Sequence, residues 1–195
     1  MGNFFIGLFL STLITAILTT RLYRLFVWYG LNSIFLGTAA IIIGSNIADT
    51  AMIVSGSIAI ILKGFFIPYV LKYFSKKFDT ERNIQPSIKI QYSILLIPAI
   101  LVFTFYLVDP IFHAYNKNYI SLSIASLFLA LVLMIEHKAI FPKIIGFLII
   151  ENALFLLAMS ATQGMPMLIE LGIFFDLLMA IIIINLLLTK EVRHV

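Results

Sequence analysis

Apolar stretches of about 20 residues, the length that crosses the hydrocarbon of a bilayer, follow one another along nearly all of this 195-residue chain with only short breaks. Hydropathy places them at residues 3–20, 25–44, 49–74, 92–112, 119–136, 141–162 and 166–189. With 62% hydrophobic and 11% charged residues and a mean hydropathy of +1.11, no ordinary soluble core accounts for the chain. The expected fold is all-α, a polytopic transmembrane helix bundle of about seven spans, forming a single transmembrane domain over residues 1–195. The first stretch lacks the basic n-region and small-residue cleavage site of a secretory signal, so it is expected to be retained.

The basic residues predict the orientation. Arg21 and Arg24 follow the first span, and Lys72, Lys76, Lys77, Arg82 and Lys89 surround the loop after the third. Lys138 and Lys143 follow the fifth, and Lys190 and Arg193 form the tail. Of the 13 Lys and Arg residues, only Lys117, on the opposite side, and Lys63, inside a span, stand apart. The positive-inside rule then puts the amino terminus outside and the carboxyl terminus in the cytoplasm. The net charge of +4 thus reads as membrane orientation rather than as nucleic-acid binding.

Composition also narrows the chemistry. Without cysteine there is no thiolate for an iron–sulfur cluster, a Cys-based zinc site or a disulfide. His113, His137 and His194 fall at or beyond the expected helix ends, whereas an intramembrane haem needs imidazoles inside a bundle. No glycine-rich nucleotide loop, zinc-helix motif or nucleophile elbow is present. The expectation is a chain with no catalytic site, metal or cofactor of its own.

What stands out is ionisable side chains inside spans, each costing about 2.5–3.5 kcal/mol on insertion scales when unpaired. Lys63 is central in span three, Glu151 is central in span six, and Asp176 lies within span seven with Glu170 nearer its outer end. Glu170 and Asp176 are about 120° apart around a helix and about 9 Å along it, so they face different neighbours. Gly56, Ala59, Ile60 and Lys63 make a helical stripe whose small members allow close packing, which turns Lys63 into the bundle towards an acid of span six or seven. Burial favours neutral forms in general and pairing favours charged ones. Two readings stay open: a structural ion pair, or a chain of protonatable sites that carries protons or responds to charge movement.

Weaker signals accompany these. Asp109-Pro110 and Glu136-His137, at span ends, read as interfacial anchors, and Arg21, Tyr23 and Arg24 as an orienting basic hairpin. Residues 75–91 read as a solvated cytoplasmic loop. Asn32, Asn46, Asn152 and Asn185 are candidates for hydrogen bonds between helices, Asn152 beside Glu151. Pro142 and Pro166 suit first helical turns, while Pro68, inside span three, should free the carbonyl of Gly64 next to Lys63.

The segment Gly146-Phe-Leu-Ile-Ile-Glu151-Asn152-Ala, followed by Pro166-Met-Leu-Ile-Glu170-Leu-Gly172-Ile-Phe-Phe-Asp176, resembles the hydrogenase-4 component E family. Arg21-Leu-Tyr-Arg24 and Lys63-Gly-Phe-Phe-Ile-Pro68 also look like family features, so the likeness spans nearly the whole chain. Ala153 departs from the family pattern, in which glycine commonly follows the Glu-Asn pair. The resemblance implies a multi-pass subunit of a bacterial or archaeal cytoplasmic (inner) membrane, in a group 4 nickel–iron hydrogenase or formate hydrogenlyase complex. Residues 140–190 are similar to a helix pair of the complex I K subunit. It implies a non-redox role linking the redox arm to ion-translocating subunits, with Lys63, Glu151 and Asp176 as a proton or ion relay and Glu170 more peripheral. Its implied partners are antiporter-like and hydrogenase-anchoring membrane subunits, together with lipid. A purely architectural subunit and an independent ion-coupled transporter are the alternatives.

Overall fold

The structure is a computed structural model that describes residues 2–77, 84, 90–108 and 117–162. These residues form α1 (Gly2–Ile17), α2 (Leu22–Asn46), α3 (Thr50–Lys77), α4 (Ile90–Val108), α5 (Lys117–Glu136) and α6 (Ile140–Thr162), with no strand among them. Five of the six, α2 to α6, are long and apolar enough to cross a membrane. The first helix is shorter than the stretch expected at 3–20. Its 16 residues rise about 24 Å, against a hydrocarbon thickness of about 30 Å. The seventh expected span, with Glu170 and Asp176, lies outside the described residues, as do His113, His194 and Asp109-Pro110.

Helices carry this chain because lipid offers the backbone no hydrogen-bond partner, so each N–H must be satisfied within its own segment. Hydroxyl side chains follow the same logic. Ser11, Thr15 and Thr19 each donate to the carbonyl four residues earlier, at 2.9, 2.5 and 2.8 Å, and so hide a polar group on an exposed face.

Helix α2 is the hub, packing against α1, α3 and α6, while α5 packs against α1, α4 and α6. Two apolar clusters form the interior. One gathers Leu13, Leu25, Phe26, Tyr29, Leu71, Leu129, Leu133 and Ile145, with Phe26 edge-on to Phe141 at 6.0 Å. The other gathers Ile6, Phe9, Leu36, Ala40, Met52 and Leu156. Ile84, buried in the first cluster, donates its N–H to Thr20 at 2.8 Å, which ties the α3–α4 connection to the α1–α2 turn. Arg21 and Arg24, next to Thr20, therefore share one end of the bundle with the chain that follows Lys72, Lys76 and Lys77 at the end of α3.

At the opposite end α2 and α3 form a tight hairpin. Ala48 takes φ 55°, Asp49 donates its N–H to Gly44 at 2.9 Å, and the Asp49 carboxylate caps α3 by accepting from Ala51 and Met52. Below it the two backbones touch. A Cβ added at Gly37 would lie 2.6 Å from the Gly56 carbonyl oxygen, and one added at Gly30 would lie 2.8 Å from that of Gly64. Seven positions separate the α2 glycines and eight separate those of α3, so a regular α3 would lose register. Residues Ile60–Phe66 instead form a π-helical segment, with Ile67 N–H reaching back to Leu62. The wider turn absorbs the extra residue and keeps both contacts. Pro68 supplies its cause: it has no N–H for the Gly64 carbonyl and its ring crowds that oxygen.

Candidate functional site

The π-helical segment holds Lys63 at the midpoint of α3, and Glu151 occupies the midpoint of α6. Lys63 is 4% and Glu151 7% exposed, and Lys63 Nζ lies 3.0 Å from Glu151 Oε1. Two charges that each resist burial thus meet at the middle of two helices long and apolar enough to cross a membrane. The inward orientation expected from the Gly56–Ala59–Ile60–Lys63 stripe is observed, with Gly56, Ala59 and Lys63 buried. Of the two acid-bearing spans considered, span six supplies the partner.

Beside the pair runs a ladder of neutral polar groups. Asn152 Nδ2 donates to Asn32 Oδ1 at 3.0 Å and to Ser33 Oγ at 2.9 Å. Asn32 Nδ2 in turn donates to the Phe9 carbonyl at 2.9 Å and to Thr12 Oγ1 at 3.3 Å, while Ser33 Oγ donates to the Tyr29 carbonyl at 3.2 Å. All are buried. Together Thr12, Asn32, Ser33, Lys63, Glu151 and Asn152 form one polar layer drawn from α1, α2, α3 and α6, lying between the two apolar clusters. Each such bond contributes only about 0.6 kcal/mol on average in a membrane, so the ladder fixes helix positions more than it adds stability. Asn152 Oδ1 is buried with no hydrogen-bond partner among the described residues, an open acceptor next to the acid.

The asparagine pair matches the expectation for Asn32 and Asn152, whereas Asn46 is exposed at the end of α2 and Asn185 lies outside the described residues. Sequence reasoning passed over Thr12 and Ser33, whose hydroxyls join the ladder; their positions one face from Phe9 and Tyr29 were the available signal. The reading of Glu136-His137 as an interfacial anchor is corrected, because each is 1% exposed. The cause is α4, which packs against α5 and brings the buried Ser93 to that end, where Ser93 Oγ donates to the Glu136 carboxylate. By contrast Arg21 and Arg24 are exposed, as an orienting hairpin requires. Among the described residues no three His, Cys, Asp or Glu side chains assemble into a metal site.

The arrangement can hold one proton in either of two places. With the proton on Lys63 the pair is ionic, and with the proton on Glu151 it is neutral, the transfer crossing a 3.0 Å gap.

No family model matches the chain, and no solved structure matches it. It is similar to the uncharacterized protein Rv0085 of Mycobacterium tuberculosis, at 24% identity over 176 residues, which cover 88% of this chain and 78% of that protein.

Proposed function

We propose that this chain is a non-redox membrane subunit of a complex I-related assembly of the group 4 nickel–iron hydrogenase or formate hydrogenlyase type. It links a redox arm to antiporter-like, ion-translocating subunits in the cytoplasmic membrane of a bacterium or archaeon. The observation that carries the reading is the Lys63–Glu151 pair, buried at mid-helix and flanked by an amide ladder. Such a pair converts a charge change in a neighbouring subunit into the movement of one proton, with Asp176, and more peripherally Glu170, continuing the relay in the seventh span. Seven spans with the amino terminus outside belong to the same proposal, supported by the basic residues gathered at one end of the bundle.

A second reading has its own support. The buried polar ladder of α1, α2 and α6 is what a subunit devoted to assembly would use, and in that case the ion pair only fixes helix packing.

Affinity purification of the tagged chain from native membranes in mild detergent tests the assembly. The expected result is co-purification of antiporter-like and nickel–iron hydrogenase subunits in fixed proportion. Recovery of the chain alone, or only with copies of itself, would contradict the proposal and favour an independent transporter.

A further inference from the structure

The end of α3 that leads to the basic side of the bundle has two unlike faces. Ile67, Leu71 and Ser75 are buried where this part of α3 packs on α2. The outward face carries Phe65, Phe66, Tyr69, Lys72, Tyr73 and Lys76, all exposed, with Tyr69 at 71% and Tyr73 at 57%. Tyr69, Lys72, Tyr73 and Lys76 follow the i, i+3, i+4, i+7 spacing of a single helix face. Phe74 stands edge-on to the Tyr73 ring at 5.5 Å and helps to fix it. From the middle of the helix outwards the face therefore passes from hydrocarbon side chains through two phenols to two cations, and α3 itself contains no Asp or Glu.

Depth gives this order a meaning. The helix is long and apolar enough to cross a membrane, with Lys63 at its midpoint. With Lys63 at the bilayer centre, Tyr73 lies about 15 Å and Lys76 about 20 Å further along the axis. Half the hydrocarbon layer is about 15 Å and half the whole bilayer about 20–22 Å. The phenols thus reach the boundary between acyl chains and headgroups, the level that Tyr favours. Lys76 reaches the headgroups, and Lys72, about one turn deeper, extends its ammonium towards them along its own apolar stem. We propose that this face of α3 binds an anionic phospholipid of the leaflet at the basic end. The charged headgroup lies against Lys72 and Lys76, the ester region beside Tyr69 and Tyr73, and an acyl chain along Phe65 and Phe66. Charge complementarity selects the headgroup, since each lysine near an anionic lipid surface contributes about fivefold in affinity. Lys138 and Lys143 are also exposed, and the Phe26–Phe141 contact puts the start of α6 at the same end. Neither has a Tyr or Trp within a turn of it in sequence, so the graded order is missing there. The site does not depend on the assembly proposed above.

The test offers phosphatidylglycerol and phosphatidylcholine in equal amounts to the purified full chain in detergent and counts bound lipid by native mass spectrometry. The wild type is expected to hold one phosphatidylglycerol about tenfold more tightly than phosphatidylcholine. Lys72→Gln/Lys76→Gln, which alters exposed side chains and leaves the packing alone, should abolish that preference. Lys138→Gln/Lys143→Gln removes the same charge from the same end and should keep the preference within about twofold. No preference in the wild type overturns the proposal, and so do equal losses in the two double variants, which would assign the effect to net charge. In native membranes a benzophenone side chain installed at position 69 should cross-link to phospholipid. Cross-linking to another protein instead would overturn the proposal and make the face a subunit contact.

Discussion

Lys63→Met is expected to destabilise the helix bundle by about 3–5 kcal/mol, because it strips the ammonium from a carboxylate held at the centre of α6. The loss is far greater than the value of the pair itself. Bringing both charges out of water already offsets most of their attraction, so an apolar pair of similar volume should serve the fold about as well. The double variant Lys63→Met/Glu151→Leu should therefore return to within about 1 kcal/mol of the wild type. Equilibrium unfolding of the purified chain in mixed micelles with rising dodecyl sulfate reads both quantities. A single variant as stable as the wild type would mean that Glu151 does not depend on Lys63.

The second large effect belongs to the contact between α2 and α3. A side chain at Gly37 starts with its Cβ 2.6 Å from both the Gly56 carbonyl oxygen and Ile60 Cγ1, and the oxygen belongs to a backbone that cannot turn aside. Gly37→Leu should separate the two helices and cost about 1–3 kcal/mol. The control is Gly7→Leu on α1, where a Cβ meets nothing within 4 Å, and there the change should stay within about 0.5 kcal/mol. The same unfolding assay compares them, and equal stabilities would show that the glycine contact does not set the packing.

Both effects trace to features that the sequence displays unequally. Hydropathy places each of the six described helices within a few residues, because in lipid an apolar run has few other ways to satisfy its backbone. Lys63 and Glu151 were legible from their cost, and the small-residue stripe pointed Lys63 inward. The partnership itself was not, since a spacing within α3 says nothing about which acid on another helix lies at the same depth. Nor was the π-helical segment: Pro68 announced a freed carbonyl at Gly64, but the one-residue mismatch between the glycine pairs becomes visible only once α2 and α3 lie side by side. Glu136 and His137 misled for the opposite reason. A charged pair at a helix end normally meets water, whereas here α4 packs against α5 and Ser93 donates to Glu136.

The double variant that keeps the bundle stable is also the cleanest probe of function, since it removes the buried charges without the instability of either single change. The central claim is that those charges transmit, and the direct measurement is the number of ions moved per hydrogen turned over in native membrane vesicles carrying Lys63→Met/Glu151→Leu, with subunit content quantified alongside. The proposal predicts a complex assembled at normal levels whose ratio collapses. An unchanged ratio at normal subunit content would contradict it and leave the pair an architectural device.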